Sequence, residues 1–342
     1  MDTAQRYRAF ATREVHGHSA IYEELAGRAA DDEELIALID QLPEPKRQPN
    51  LLLASVRFLG GPVDGYRPFR SWVIAHWDQV SATMLRRRTQ TNEPGRCAAL
   101  LPLLASLPQP LALIEAGASA GLCLYPDRYQ YRYDDRPPLG PSDSPVSLTC
   151  RTSGPMPFPE RLPTVVWRAG VDLNPLDVRD ADDMRWLECL VWPEQRDRLE
   201  RLRNAARIAQ AEPPHLVRGD LNQAVRDLVS QAPRGATPVV FHSAVLAYLP
   251  SEARSAFAET MRSIPGHWIT NEGPRIVPAV EARLPRSAPP GRAVFALALD
   301  EQPVAFAGPH GQSLDWFQET VDTGASGLGN DTPLGVRLTD TL

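Results

Sequence analysis

The sequence predicts an α/β protein in which a mostly parallel sheet with an antiparallel edge hairpin is preceded by an all-helical N-terminal region. Three observations predict it. The first hundred residues repeat apolar side chains at three- and four-residue spacing, short apolar runs alternate with helical stretches from Leu111 onward, and turn formers follow each run closely.

The helical part comes first. "AQRYRAFATREV", "SAIYEELAGRAA" and "DDEELIALIDQL" carry helical spacing, and the acids that open the third suit a helix N-terminus. "PNLLLASVRFLGG" has proline before it and glycines after it, as a buried helix would, and "SWVIAHWDQVSATMLRRR" and "EPGRCAALLPLLASL" complete a strand-free region. The apolar runs that follow are "LALIEAG", "TVVWRAGVDL", "PHLVRGD", "TPVVFHSAV" and "GHWITNEG". Their length and continuity suit parallel strands buried on both faces. "DADDMRWLECLVWPEQRDRLERLRNAARIAQ", "LNQAVRDLVSQA" and "SEARSAFAETMRSI" supply helices between them, and "AVFALALDEQPVAFAGPHGQSLDWF" reads as two strands around "DEQP", the edge hairpin. The expected organisation is a helical cap over 1–108, an α/β domain over 109–317 with an inserted hairpin at 127–163, and a flexible tail over 318–342.

Composition excludes several classes. The net charge of −6 lacks the basic excess of a duplex-binding surface, so no nucleic-acid partner is expected. Prolines and glycines interrupt the most apolar stretch, Cys97 to Tyr125, so no membrane span is expected either. Residues Met1 to Phe10 do not form a secretory signal, and the four scattered cysteines fit reduced thiols and no metal site, so the expected location is the cytoplasm. Lys46 is the only lysine and no GK[ST] follows a glycine loop, which removes P-loop chemistry.

The stretch that points to chemistry is "LALIEAGASAGLCLYP". Glu115 ends the first apolar run and Gly117, Ser119 and Gly121 follow it, a bare backbone at the carboxyl end of a sheet strand, where open α/β sheets bind ligands. A dinucleotide fingerprint would need GxGxxG, but Ser119 and Leu122 stand at its second and third glycines. Asp172 ends the next strand in "GVDLNP", where an acid accepts from ribose hydroxyls, and Asp220 ends the third in "VRGDL", facing the position of an adenine amine. Either aspartate alone is equally a turn or helix-cap residue.

This arrangement resembles the class I S-adenosylmethionine-dependent methyltransferases: "EAGASAG" is similar to their glycine-rich first motif, and "VVFHSAVLAYLP" to the fourth-strand motif beside the methyl-transfer site. Across nearly the whole chain, "QTNEPGRCAALLPLL", "EAGASAGLCL", "VDLNPLDVRDADDMRWLECLVWPEQ", "VVFHSAVLAYLP" and "NEGP" are similar to a bacterial family of unknown function with a methyltransferase-like domain. The resemblance implies a Rossmann-like methyltransferase sheet, S-adenosylmethionine as cofactor, and Glu115, Gly117, Ser119, Gly121, Asp172 and Asp220 around it. Asn92 and Glu93 in "TQTNEPGR" read as a helix start or as a further clamp on the cofactor. The long segment between Gly121 and Asp172 and the lack of an Asn/Asp-Pro-Pro-Tyr signature depart from the superfamily pattern.

Methyl transfer is an in-line displacement, so the protein mainly aligns the acceptor and supplies a base where the acceptor carries a proton. His242 is placed for proton removal, and Asn271 and Glu272 for binding the acceptor or capping a turn. The expected function is methyl transfer to a small-molecule acceptor. Two alternatives stay open: a non-catalytic protein that binds S-adenosylmethionine or S-adenosylhomocysteine, or serves in interactions, and a nicotinamide-dependent oxidoreductase.

Overall fold

A computed structural model describes residues 1–317; the expected tail, 318–342, lies outside the described residues. From Thr3 to Ser106 every regular element is helical: α1 (Thr3–Ala9, running on into a π-turn at Phe10–Glu14), α2 (Ala20–Ala30), α3 (Glu33–Ile39), α4 (Pro49–Phe58), α5 (Tyr66–Ala75), α6 (Trp77–Arg86) and α7 (Cys97–Ser106). Ser19 caps α2 by accepting from the Tyr22 amide, and Asp32 caps α3 by accepting from that of Leu35. The stretch "SWVIAHWDQVSATMLRRR" is divided between two helices, because His76 leaves the helical backbone, its ring stacked on Trp72 and its Nδ1 2.8 Å from the Trp72 carbonyl.

The sheet elements follow as β1 (Leu111–Ala116), β2 (Gln130–Tyr133), β3 (Ser147–Ser153), β4 (Val165–Asp172), α8 (Ala181–Leu190), α9 (Arg196–Ala211), β5 (His215–Arg218), α10 (Leu221–Ser230), β6 (Thr237–Ser243), α11 (Ser251–Ser263), β7 (His267–Glu272), α12 (Pro278–Glu281), β8 (Phe295–Leu299), β9 (Gln302–Ala307) and β10 (Ser313–Trp316). They build one ten-stranded sheet in the order β2-β3-β10-β9-β8-β7-β6-β1-β4-β5. β5, β4, β1, β6 and β7 are all parallel.

Two expectations are corrected. The inserted segment is not a hairpin: β2 and β3 run parallel, Gln130 opposite Ser147, and β3 joins the main sheet through β10. After β2 the chain doubles back, Leu139 bridging antiparallel to Tyr131, so β3 starts again beside the start of β2. The β8–β9 pair is antiparallel as expected but is not an edge, since β10, β3 and β2 extend the sheet beyond it. β10 escaped notice because a four-residue strand containing Ser313 and Asp315 carries almost no apolar signal.

Strand side chains alternate between two buried layers. Leu111, Leu113, Val239, Phe241 and Ile269 pack with the N-terminal helices and α9 in one large cluster, while Ile114, Val171, Val240 and Trp268 pack with Val225 of α10 and Phe257 of α11 in the other. Among the described residues no helix is long and apolar enough to cross a membrane.

Candidate functional site

β1 lies between β4 and β6; β4 then β5 are added on one side of it and β6 then β7 on the other, while the intervening β2 and β3 lie at the far edge beyond β10. This is a topological switch point, where crossovers depart to opposite sides and leave a crevice at the carboxyl edge. Because the five strands are parallel, Glu115, Asp172, Ser243 and Asn271 share that edge.

The turn after β1 is built from left-handed backbone. Gly117, Ser119 and Gly121 have φ of 77°, 50° and 71°, and a Cβ on Gly117 would stand 2.5 Å from Cγ2 of Val245, so glycine is required there. Every amide of the turn has a partner within the protein. Gly117 and Ala118 donate to the Val171 carbonyl at 2.8 and 3.1 Å, Ser119 to Asp172 Oδ2 at 2.8 Å, Ala120 to Asn92 Oδ1 at 3.0 Å and Gly121 to the Ala118 carbonyl at 2.6 Å. Asn92 also donates to Ser119 Oγ, as does Gln90 at 3.0 Å. The sequence reading thus placed Asn92, Ser119 and Asp172 at one site, but the turn leads into a 3-10 segment, Leu122–Leu124, and presents no helix N-terminus.

Glu115 points into the larger cluster's face, buried, with Oε2 lacking any hydrogen-bond partner among the described residues. Burial drives its pKa well above the usual carboxylate range; the neighbouring Cys123 adds to the rise and Arg96 opposes it. Two strands away on the same face, fully buried Asn271 donates from Nδ2 to Ser243 Oγ at 2.8 Å and leaves Oδ1 unpartnered. Two buried acceptors without donors therefore flank one crevice, an arrangement that is unfavourable unless something else supplies the hydrogens.

His242 and Glu272 sit on the opposite face. Trp268 Nε1 donates to His242 Nε2 at 3.0 Å, and an indole nitrogen can only donate, so Nδ1 carries the proton that goes to Glu272 Oε1 at 2.8 Å. Both ring nitrogens are committed and the ring is fully buried. His242 is thus not the acceptor-site base expected from the sequence. Glu272 lies on that same opposite face: its Oε1 also accepts from the amides of Val245 and Leu246, at 2.8 and 3.0 Å, and so holds the loop after β6 against Gly117, while its buried Oε2 has no partner among the described residues. In that loop Ala244 takes φ of 57°, a second left-handed non-glycine residue beside the crevice.

Glu93 is almost fully buried and its pKa is lowered: burial pushes it up, but Arg201 and Arg198 outweigh that. It faces these arginines rather than the glycine turn, so it is brought to the site only through its neighbour Asn92. Asp220 is exposed and caps α10, accepting from the Asn222 amide at 2.8 Å. The sequence reading missed Arg96 and Leu173, and its reading of Tyr248 as a packing residue is corrected by that side chain's exposure. Arg96 reaches the Ser243 carbonyl at 3.0 Å, while Leu173 and Tyr248, 60% and 82% exposed, are apolar groups offered to solvent after β4 and β6.

One family model matches the chain, over residues 4–316, described as "Uncharacterized protein conserved in bacteria (DUF2332)". Searches of the curated proteins and of the solved structures find no match.

Proposed function

The chain belongs to this uncharacterised bacterial family, and from the site it carries we propose that it binds S-adenosylmethionine at the β1–β6 switch point and transfers the methyl group to a small-molecule acceptor. The carrying observation is the pair of unpartnered buried acceptors, Glu115 Oε2 and Asn271 Oδ1, on one face of that crevice. An alkylammonium group, such as the amino end of this ligand, supplies the hydrogens both lack. Asp172 uses one lone pair of each oxygen, on the amides of Ser119 and Asn174, and keeps capacity for two ribose hydroxyls. Leu173 beside it offers an apolar surface to a base. Since the turn's amides are satisfied internally, the side chains of Glu115, Asn271 and Asp172, more than the loop backbone, would hold the ligand. When bound, S-adenosylmethionine supplies an electrophilic methyl group on sulfonium sulfur; the protein's part is to orient it and to exclude water. The Rossmann-like methyltransferase identity of the sheet and the role of the helical region as a cap belong to the same proposal.

A second reading has its own support. With both nitrogens of His242 engaged, no imidazole is free at the end of β6, which suits a protein that binds the ligand without turning it over. A nicotinamide cofactor fits less well, because no helix N-terminus follows the glycine turn to receive a pyrophosphate. Titration calorimetry with S-adenosylmethionine, S-adenosylhomocysteine and NADH separates the ligands. Transfer of labelled methyl to small molecules of a cell extract separates enzyme from binder.

A further inference from the structure

Next to the crevice one buried carboxylate faces two guanidinium groups, and a third, that of Arg96, lies in the same cluster. Arg198 Nε lies 2.8 Å from Glu93 Oε2 and Arg201 Nε 2.9 Å from Glu93 Oε1. The two arginines stand three residues apart on α9, so one face of that helix presents both. Arg96, itself buried, is anchored by the carbonyls of Ser243 and Pro309, each at 3.0 Å. His310, in the loop folded against Gly95, faces the same group.

The charges do not balance. Glu93 is the ionised carboxylate among these arginines, which leaves two guanidiniums in excess. Burial depresses the His310 pKa to about 4, and Arg198, Arg96 and Arg201 push the same way against Glu93, so the ring stays neutral near pH 7 and does not add to the excess. Burial, the other arginines and only partial relief from Glu93 lower Arg198 as well. Among the described residues, both Nη atoms of Arg201, Nη2 of Arg198 and Nη2 of Arg96 find no acceptor. The side chains of Arg198 and Arg201 remain 18% and 28% exposed, so a ligand can reach them.

Converging guanidinium donors with excess positive charge match an oxyanion, whose planar or tetrahedral oxygens accept from several forks together. We propose that Arg96, Arg198, Arg201 and His310 form an oxyanion subsite that takes the carboxylate or phosphate of a molecule bound at the sheet edge. It rests on the reading of that edge as a ligand site. Arg96 is the link, since its guanidinium lies at the end of β6 and also acts on Glu115. The oxyanion has two possible sources, the amino-acid carboxylate of an adenosyl ligand or an acidic group on the methyl acceptor.

Inorganic phosphate and succinate, titrated into the full chain while the His310 ring resonance is followed, test the subsite. We expect a saturable shift with half-saturation at about 1 to 10 mM, and Arg201→Gln should raise that concentration tenfold or more. Arg201→Gln leaves Glu93 paired with Arg198, and circular dichroism checks its fold; Arg201→Lys should recover part of the binding. Arg203→Gln, on the same helix but paired with Glu188, should leave the curve unchanged. No saturation by about 100 mM of either anion, or equal curves for Arg201→Gln and Arg203→Gln, would overturn the subsite. Repeating the titration with saturating S-adenosylhomocysteine assigns the source. Competition supports the subsite as the place of that ligand's carboxylate, and simultaneous binding supports it as the place of a separate acceptor. Saturable phosphate binding in a protein that takes up no adenosyl ligand would keep the subsite and overturn the cofactor reading instead.

Discussion

The Ser119 amide donates to the Asp172 carboxylate across 2.8 Å, tying the turn after β1 to the end of β4. One acidic side chain thereby holds a residue in left-handed backbone, with φ of 50°, at the sheet edge between the β4–β5 and β6–β7 pairs. Removing the carboxylate leaves the amides of Ser119 and Asn174 without acceptors. Asp172→Ala should therefore lower stability by about 1 to 3 kcal/mol in urea unfolding. Asp172→Asn, which retains one oxygen, should lose less, and equal losses in the two variants would show that the carboxylate does not hold the turn.

Gly117 and Val245 pack against each other beyond the ends of the neighbouring strands β1 and β6. Gly117→Ala combines positive φ with a Cβ only 2.5 Å from Val245 Cγ2, so its cost should be about 2 to 4 kcal/mol. Val245→Gly removes the contact, which involves Cβ of Val245 at 2.8 Å as well as its Cγ atoms, but not the backbone strain. In that background the same substitution should cost about half as much, a coupling that a double-mutant cycle in urea measures. Additive effects would mean that Val245 does not seal the turn.

Glu272 gathers three donors, from His242, Val245 and Leu246, on one oxygen. Glu272→Ala leaves all three without an acceptor, two of them buried, and should destabilise the protein by about 2 to 4 kcal/mol, with faster proteolysis of the loop after β6. Glu272→Gln keeps an acceptor oxygen and should recover a substantial part of that loss. If alanine were as stable as glutamine, Glu272 would not be the clamp described.

These relationships were partly legible in the sequence. The strand ends carrying Glu115, Asp172 and Asn271 could be read because short apolar runs stop abruptly at polar residues. Which face each residue takes could not, because strands buried on both sides lose the alternation that marks a face. The sequence places His242 and Asn271 at one cleft, yet they belong to opposite layers. Arg198 and Arg201 lie in a charge-rich helical stretch with no local sign of a partner, and only the fold brings buried Glu93 against them. The parallel pairing of β2 with β3 depends on a chain reversal through Leu139 that no local pattern announces.

His310 gives a pH dependence with a definite sign. Its folded-state pKa of about 4 lies below the ordinary 6.5, so the unfolded chain binds the extra proton between these values. Its contribution is fully present above pH 6.5 and drains as pH falls toward 4. By pH 5 the loss should reach about 1 to 2 kcal/mol. His310→Asn should flatten the stability difference between pH 7 and pH 5 by that amount, measured by urea unfolding at both. An unchanged difference would mean that burial and the arginines around Glu93 do not hold the ring neutral.

Glu115 carries the central claim, and its protonation offers the most direct test. Below its raised pKa the free protein holds a neutral carboxyl there, and an ammonium group arriving beside it favours the ionised form, so binding should expel a proton. Titration calorimetry of S-adenosylmethionine and S-adenosylhomocysteine near pH 6, in buffers of different ionisation enthalpy, counts that proton. Binding with net proton release by the native chain is expected. Glu115→Gln should bind at least about tenfold more weakly, a loss of about 1.4 kcal/mol, and release none. No detectable binding at millimolar ligand, or equal affinity and equal proton count in the two proteins, would contradict the account.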